Sequence, residues 1–257
     1  MRIARISATN LIIIGAVCAL VIALTVSYRE RIAFYIDPTP SRAYASGMRH
    51  FNSLDADAYD IDEAEYFFQK VAGLDARHPS VQHQISRIHF LKGRYPEALI
   101  AINKELANDP TERAPVFYMR GLIEGYLGQY DAAVRDYERV VQLSPDRWEG
   151  RVDYAWVLIK TNDFATALRV VDEGLSALPD NPWLLSMRAV ILHEQGNTAE
   201  ALSAARIAKG AVDGIDERTW LIAYPGNAPE AARVGIRTLR ESAQKNLDLI
   251  EAAVNGH

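Results

Sequence analysis

Hydrophobic and polar positions fall into two regimes along this chain. From Ala8 to Tyr28 there are 21 residues without a charge. As a helix, that run would span ~31 Å, enough for the hydrocarbon core of a bilayer. Arg2 and Arg5 precede it, and Arg29 and Arg31 follow it. The run is long for a cleavable leader, and no small-x-small cleavage site follows it, so an uncleaved single-pass anchor is expected. The first ten residues contain no acid, which favours an N-terminus kept inside. Beyond the run the pattern becomes that of paired helices joined by short turns.

Small residues set the period of that second regime. Gly121, Ala155 and Ala189 are 34 apart, as are Ala133, Ala167 and Ala201. The turn positions Gly128, Asn162 and Gly196 keep the same step, and so do Pro145 and Pro179. Each class answers a packing need. Two antiparallel helices approach to ~8–10 Å only where small side chains face each other. Gly, and after it Asn, tolerates the backbone of a tight turn, and Pro cannot continue a helix. The clearest unit is residues 114–147, with Gly121, Tyr126, Gly128, Tyr130, Ala133, Tyr137 and Pro145 as landmarks. These landmarks resemble a tetratricopeptide repeat, a helix-turn-helix unit of 34 residues. The resemblance covers roughly residues 41–245 and implies an all-α fold, a right-handed superhelix of helical hairpins.

Four regions follow: a tail and anchor at 1–28, a linker at 29–41, repeats over 42–215, and a degenerate repeat with a capping helix at 216–257. In the linker, Phe34 and Tyr35 are candidate aromatic anchors at the membrane interface. Pro38 and Pro40 are expected to stop any helix leaving the bilayer and to hold the next domain off it. An atypical first unit occupies 41–78, with a helix from Arg42 to Leu54 and a long acidic turn carrying Asp55, Asp57, Asp60 and Asp62. A calcium loop would need Gly sixth and Glu twelfth, where this chain has Asp60 and Tyr66, so a solvated turn is expected. Clearer units run over 79–112, 114–147 and 148–181, and another starts at Pro182. A short helix over 216–223 and a long one from Pro229 to about Val254 close the chain, the last covering the exposed end of the stack.

Composition narrows the function. A net charge of −5 and a pI near 5.7 argue against nucleic-acid binding. Cys18 is the single cysteine, so no intrachain disulfide forms. There is no phosphate loop, HExxH or nucleophile elbow, and His78, His83 and His89 are spaced five and six apart, off the pitch of one helical turn. No catalysis, metal or cofactor is therefore expected.

The resemblance implies that the first helix of each unit lines a concave groove for a protein or peptide partner. Applied to this chain, it makes His83, Arg87, Phe90, Tyr118, Leu122, Tyr126, Trp156, Lys160, Trp183 and His193 the candidate groove residues. That wall is aromatic and aliphatic, the chemistry of interface anchors. The Lys/Asn/Arg carboxylate clamp of some family members is absent. The expectation is a scaffold in the bacterial inner membrane with its repeats in the periplasm. It would serve envelope assembly: cytochrome maturation, pilus or secretion assembly, or quality control. Two alternatives stand beside it. One is a self-associating strut using Leu239, Leu247, Ile250 and Val254 on the last helix. The other is a regulatory subunit of an enzyme complex.

Overall fold

A computed structural model describes residues 16–21, 28–52, 58–223 and 229–255. Residues 16–21 are helical. No helix among the described residues is long and apolar enough to cross a membrane. The expected span over 8–28 lies outside them apart from 16–21 and Tyr28.

A short helix α1 (Arg29–Ile36) leads into five helical hairpins. These are α2 (Pro40–Phe51) with α3 (Ile61–Leu74), α4 (Val81–Leu91) with α5 (Tyr95–Asn108), and α6 (Ala114–Tyr126) with α7 (Tyr130–Leu143). Then come α8 (Trp148–Lys160) with α9 (Phe164–Ala177), and α10 (Pro182–Glu194) with α11 (Thr198–Asp213). The chain ends with α12 (Glu217–Ala223) and α13 (Pro229–Asn255). Pro40, expected to stop a helix, instead starts α2, which ends at Phe51 and not at Leu54. Proline stands in the first turn of α2, α5, α6 and α10, where its missing N–H costs nothing. Asp60, in the acidic turn, accepts from the backbone N–H groups of Asp62 and Glu63 and caps α3. Gly128 (φ 73°) and Asn162 (φ 60°) occupy equivalent left-handed turns.

Packing within a hairpin depends on the small residues. A β-carbon on Gly121 would meet the fully buried Tyr137 ring at 3.2 Å, and one on Gly47 would meet Phe68 at 2.8 Å. Between hairpins, the first helices touch in succession: α4 with α6, α6 with α8, α8 with α10. Successive second helices make no comparable contact among the described residues. The array therefore curves around its first helices, which form the inner wall. At the far end α13 lies along α11. Ile250 is buried against Ala189, Leu192, Ala201, Ala204 and Ala205, with Leu247 beside it. Two residues of the proposed self-association stripe are thus consumed inside the chain.

The segment expected to be a linker differs most. α1 folds back on the first hairpin instead of standing off it. Phe34 is 5% exposed and meets Phe67 edge-on at 6.3 Å. Arg31 donates to Glu63 from Nε (3.0 Å) and Nη2 (2.6 Å). Arg42 Nη1 donates to the Ala33 carbonyl at 3.1 Å. Phe34 is a core residue, not a membrane anchor, because the hairpin offers it an aromatic socket.

Candidate functional site

The inner wall brings the candidate groove residues into two groups with different fates. At the C-terminal ends of α4, α6 and α8, five rings gather. Tyr126 lies at their centre, 5.0 Å from Phe90 with the rings nearly perpendicular, 5.2 Å from Tyr95 and 6.2 Å from Trp156. Tyr130 meets Trp156 edge-on at 6.3 Å. Tyr126 keeps 54% of its surface exposed. Phe90 and Trp156 are half-buried, and Lys160 beside them is exposed. Leu122 packs against the core under Phe90. Gly125 makes this possible, since a β-carbon there would strike the Trp156 ring at 2.6 Å. The wall here is apolar, ring-lined and open to solvent.

Elsewhere on the first helices most of the candidates are tied into the structure. The backbone N–H groups of Ser80 and His83 donate to the buried Glu105 carboxylate at 3.0 and 3.2 Å, and Arg113 closes the cluster. Burial, helped by the Arg87 and Arg113 charges, pushes the His83 imidazole down to about 4. Arg87 lays its guanidinium over the Phe51 ring at 4.7 Å and donates to Gln84 Oε1 at 2.9 Å; burial lowers its pKa. Tyr118 donates its hydroxyl to Asp153 Oδ2 at 2.6 Å. Burial raises the Tyr118 pKa and, with the Glu149 charge, pushes Asp153 up to about 6 against the pull of the Tyr118 hydrogen bond. Trp183 is stacked between Trp148 at 4.4 Å and Trp220 at 6.4 Å. His193 is half-buried on α10. Arg87, Tyr118 and Trp183 each meet a side chain of a neighbouring unit, at Phe51, Asp153 and Trp148, while His83 is tied by its backbone N–H to Glu105 of its own hairpin.

Two features lie outside the sequence reading. The tryptophan stack is one: its members are 35 and 37 residues apart, off the 34-residue step. A cavity of about 350 Å³ is the other. It lies where α6, the end of α7 and the start of α8 meet, lined by Pro115, Tyr118, Val140, Ser144, Arg147 and Glu149 among others. Arg147 donates to Glu149 at 2.7 Å across its rim.

With the hairpins, their period and the inner wall in place, the comparisons with known proteins agree. Residues 127–191 match the tetratricopeptide repeat family, and residues 182–206 match a second description of the same repeat. Residues 127–206 thus carry tetratricopeptide repeats, a repeat that mediates protein–protein interaction. Among solved structures it is similar to YrrB, described as a TPR protein with an unusual peptide-binding site. The two share 19% identity, with 72% of this chain and 93% of that chain covered and a TM-score of 0.59. It is also similar to MamA: one structure shares 17% identity over 60% of this chain and 90% of that one, TM-score 0.55. A second, MamA MSR-1, shares 19% over 72% and 98%, TM-score 0.55. At these identities the likeness is one of fold. No curated protein matches the chain significantly.

Proposed function

We propose that this chain is a membrane-tethered scaffold that holds a partner segment against the side of its inner wall formed by the C-terminal ends of α4, α6 and α8. The observation that carries the reading is the exposed Tyr126 set between Phe90 and Trp156 on three successive units. Rings already fixed by one another lose little freedom on binding, which is how aromatic anchors dominate an interface. The occupant would be an extended or helical segment presenting apolar side chains. That YrrB is described as having a peptide-binding site is consistent with this use of the fold. The tether rests on the uncharged run from Ala8 to Tyr28. The acid-free first ten residues favour a bacterial inner-membrane protein with periplasmic repeats, engaged in assembly of an envelope complex. It is read as a binding protein, not an enzyme; near the wall, buried Glu105 and Asp136 are taken up in ion pairs with Arg113 and Arg120.

A photo-crosslinking amino acid placed at Tyr126 in the full-length protein in cells tests the site. A discrete adduct is expected from position 126, and none from Lys104 on the second helix of its hairpin. The adduct is expected to fall at least tenfold when Trp156→Ala is added, as for loss of an interface anchor worth more than about 1.4 kcal/mol. Equal yields from both positions would sink the reading.

A further inference from the structure

The two faces of α1 are unlike. One is keyed into the first hairpin by Phe34, by Arg31 with Glu63, and by Glu30 with Arg49. On the other, Tyr28, Ile32, Tyr35 and Ile36 follow the spacing i, i+4, i+7, i+8 and share one side of the helix. They are 46%, 42%, 69% and 79% exposed. Four adjacent large apolar side chains lie largely exposed, with Tyr28 near the Arg31 guanidinium and Tyr35 beside Tyr66 of the first hairpin, and a stripe of this kind calls for a partner. Arg29 and Arg31 flank the stripe. The Arg31 guanidinium is 5.7 Å from the Tyr28 ring and 4.2 Å from the Tyr66 ring.

What would cover the stripe follows from where it starts. Tyr28 is both its first residue and the last residue of the uncharged run. If that run spans a bilayer, α1 begins at the membrane surface, and its eight residues extend only ~12 Å. Tyrosine and isoleucine backed by arginine match the headgroup boundary, where an amphipathic helix seats its apolar face.

We infer that α1 lies in the bilayer interface with Tyr28, Ile32, Tyr35 and Ile36 facing the lipid, and that its opposite face fixes the solenoid to the membrane in one orientation. The inference rests on the tether of the proposed function. It replaces a flexible leash with a rigid mount, so the inner wall is presented at a set angle to the surface.

Spin labelling of the full chain tests it. Cys18→Ser supplies the background, and single labels are placed at Ile36→Cys and, as a water-exposed reference, Lys160→Cys. The proteins are reconstituted in vesicles of phosphatidylcholine and phosphatidylglycerol and checked by flotation. Collisions with a water-soluble nickel chelate are expected to be at least about threefold rarer at position 36 than at 160, with oxygen collisions undiminished there, as for an interfacial side chain. Equal nickel access at both positions in floating vesicles would overturn the mount while leaving the tether standing. Protein that stays at the bottom of the gradient would overturn the tether and the mount together. Spin–spin broadening at position 36 that disappears on dilution with unlabelled protein would assign the stripe to a second copy and likewise overturn the lipid contact.

Discussion

Glu124, on the inner wall's middle helix α6, shows how single residues set the conditions under which the solenoid holds. It is buried beside Asp136, which Arg120 grips from Nε and Nη2 at 2.6 Å each. Arg120 comes only to 3.9 Å from Glu124. Burial, with the Asp136 charge, pushes the Glu124 carboxyl up to about 7, and Arg120 offsets only part of this. The folded state therefore holds a proton that the unfolded chain releases near its ordinary value of 4.5. That contribution to stability is complete below 4.5 and is lost as pH rises through 7. Asp153 acts in the same sense between 3.8 and about 6. His83 acts in the opposite sense: its stabilisation is present above 6.5 and is lost as pH falls toward about 4. Urea unfolding of a fragment spanning residues 28–257 should isolate the first of these. Glu124→Gln is expected to flatten the stability–pH curve between 4.5 and 7 by up to about one proton and to leave the region below 4.5 little changed. An unaltered slope in the variant would refute the assignment. None of this was legible from spacing, because Glu124 and Asp136 sit on different helices and each looks like an ordinary surface acid in the sequence.

At the scale of elements, the sequence was most informative where a rule is local. Turn positions, first-turn prolines and the closing long helix all follow from one residue and its neighbours, and Asn162 takes the left-handed turn its place in the glycine series requires. The helix α4 shows what a local rule misses. Its N-terminus begins at Ser80, whose φ is 65° and whose side chain makes no cap. The free N–H groups of Ser80 and His83 are satisfied instead by Glu105, 25 and 22 residues away on α5 and 2% exposed. Arg113, at the entrance to α6, then neutralises that carboxylate and donates to Ser80 Oγ at 3.0 Å. One side chain thus joins three helices. Glu105→Ala would leave two backbone donors without their acceptor and reduce the partly buried Arg113 guanidinium to Asp109 and Ser80 Oγ. A loss of about 2–4 kcal/mol is expected from that. Denaturant unfolding of the same fragment checks it, and a loss below about 0.5 kcal/mol, the scale of an ordinary surface change, would show that water replaces the cap. The same long-range ties hold Arg87, Tyr118 and Trp183 in contacts that position within a unit does not show. Position within a unit puts Phe90, Tyr126 and Trp156 on the first helices, where the structure groups their rings. It could not show that Tyr118 is held by Asp153 35 residues on, or that Trp183 is enclosed by two other tryptophans.

For the whole molecule, stability in a stacked array is a sum over neighbours, so damage at one end stays local. The N-terminal end is the informative one, because the boundary between linker and repeats that the sequence pattern drew, at residue 41, cuts through a packed unit. Removing α1 takes Phe34 from the Phe67 ring and Arg31 from Glu63 and Tyr66, and it deprives Arg49 of Glu30. The first hairpin would then show an apolar face with no cap, as an interior repeat does when its neighbour is deleted. Hydrogen exchange of fragments 28–257 and 38–257, the shorter keeping Thr39 and Pro40 at the start of α2, compares the two directly. Protection in α2 and α3 is expected to fall by about tenfold or more in the shorter fragment, the equivalent of losing one well-packed aromatic contact and a bidentate ion pair. Protection in α8 and α9, three units away, is expected to stay the same. A uniform loss along the chain would mean that the hairpins unfold as one body, and the end of the solenoid would then be no more separable than its middle. Protection unchanged in α2 and α3 would mean that α1 adds nothing to the first hairpin, and the rigid mount would lose its footing on the protein side.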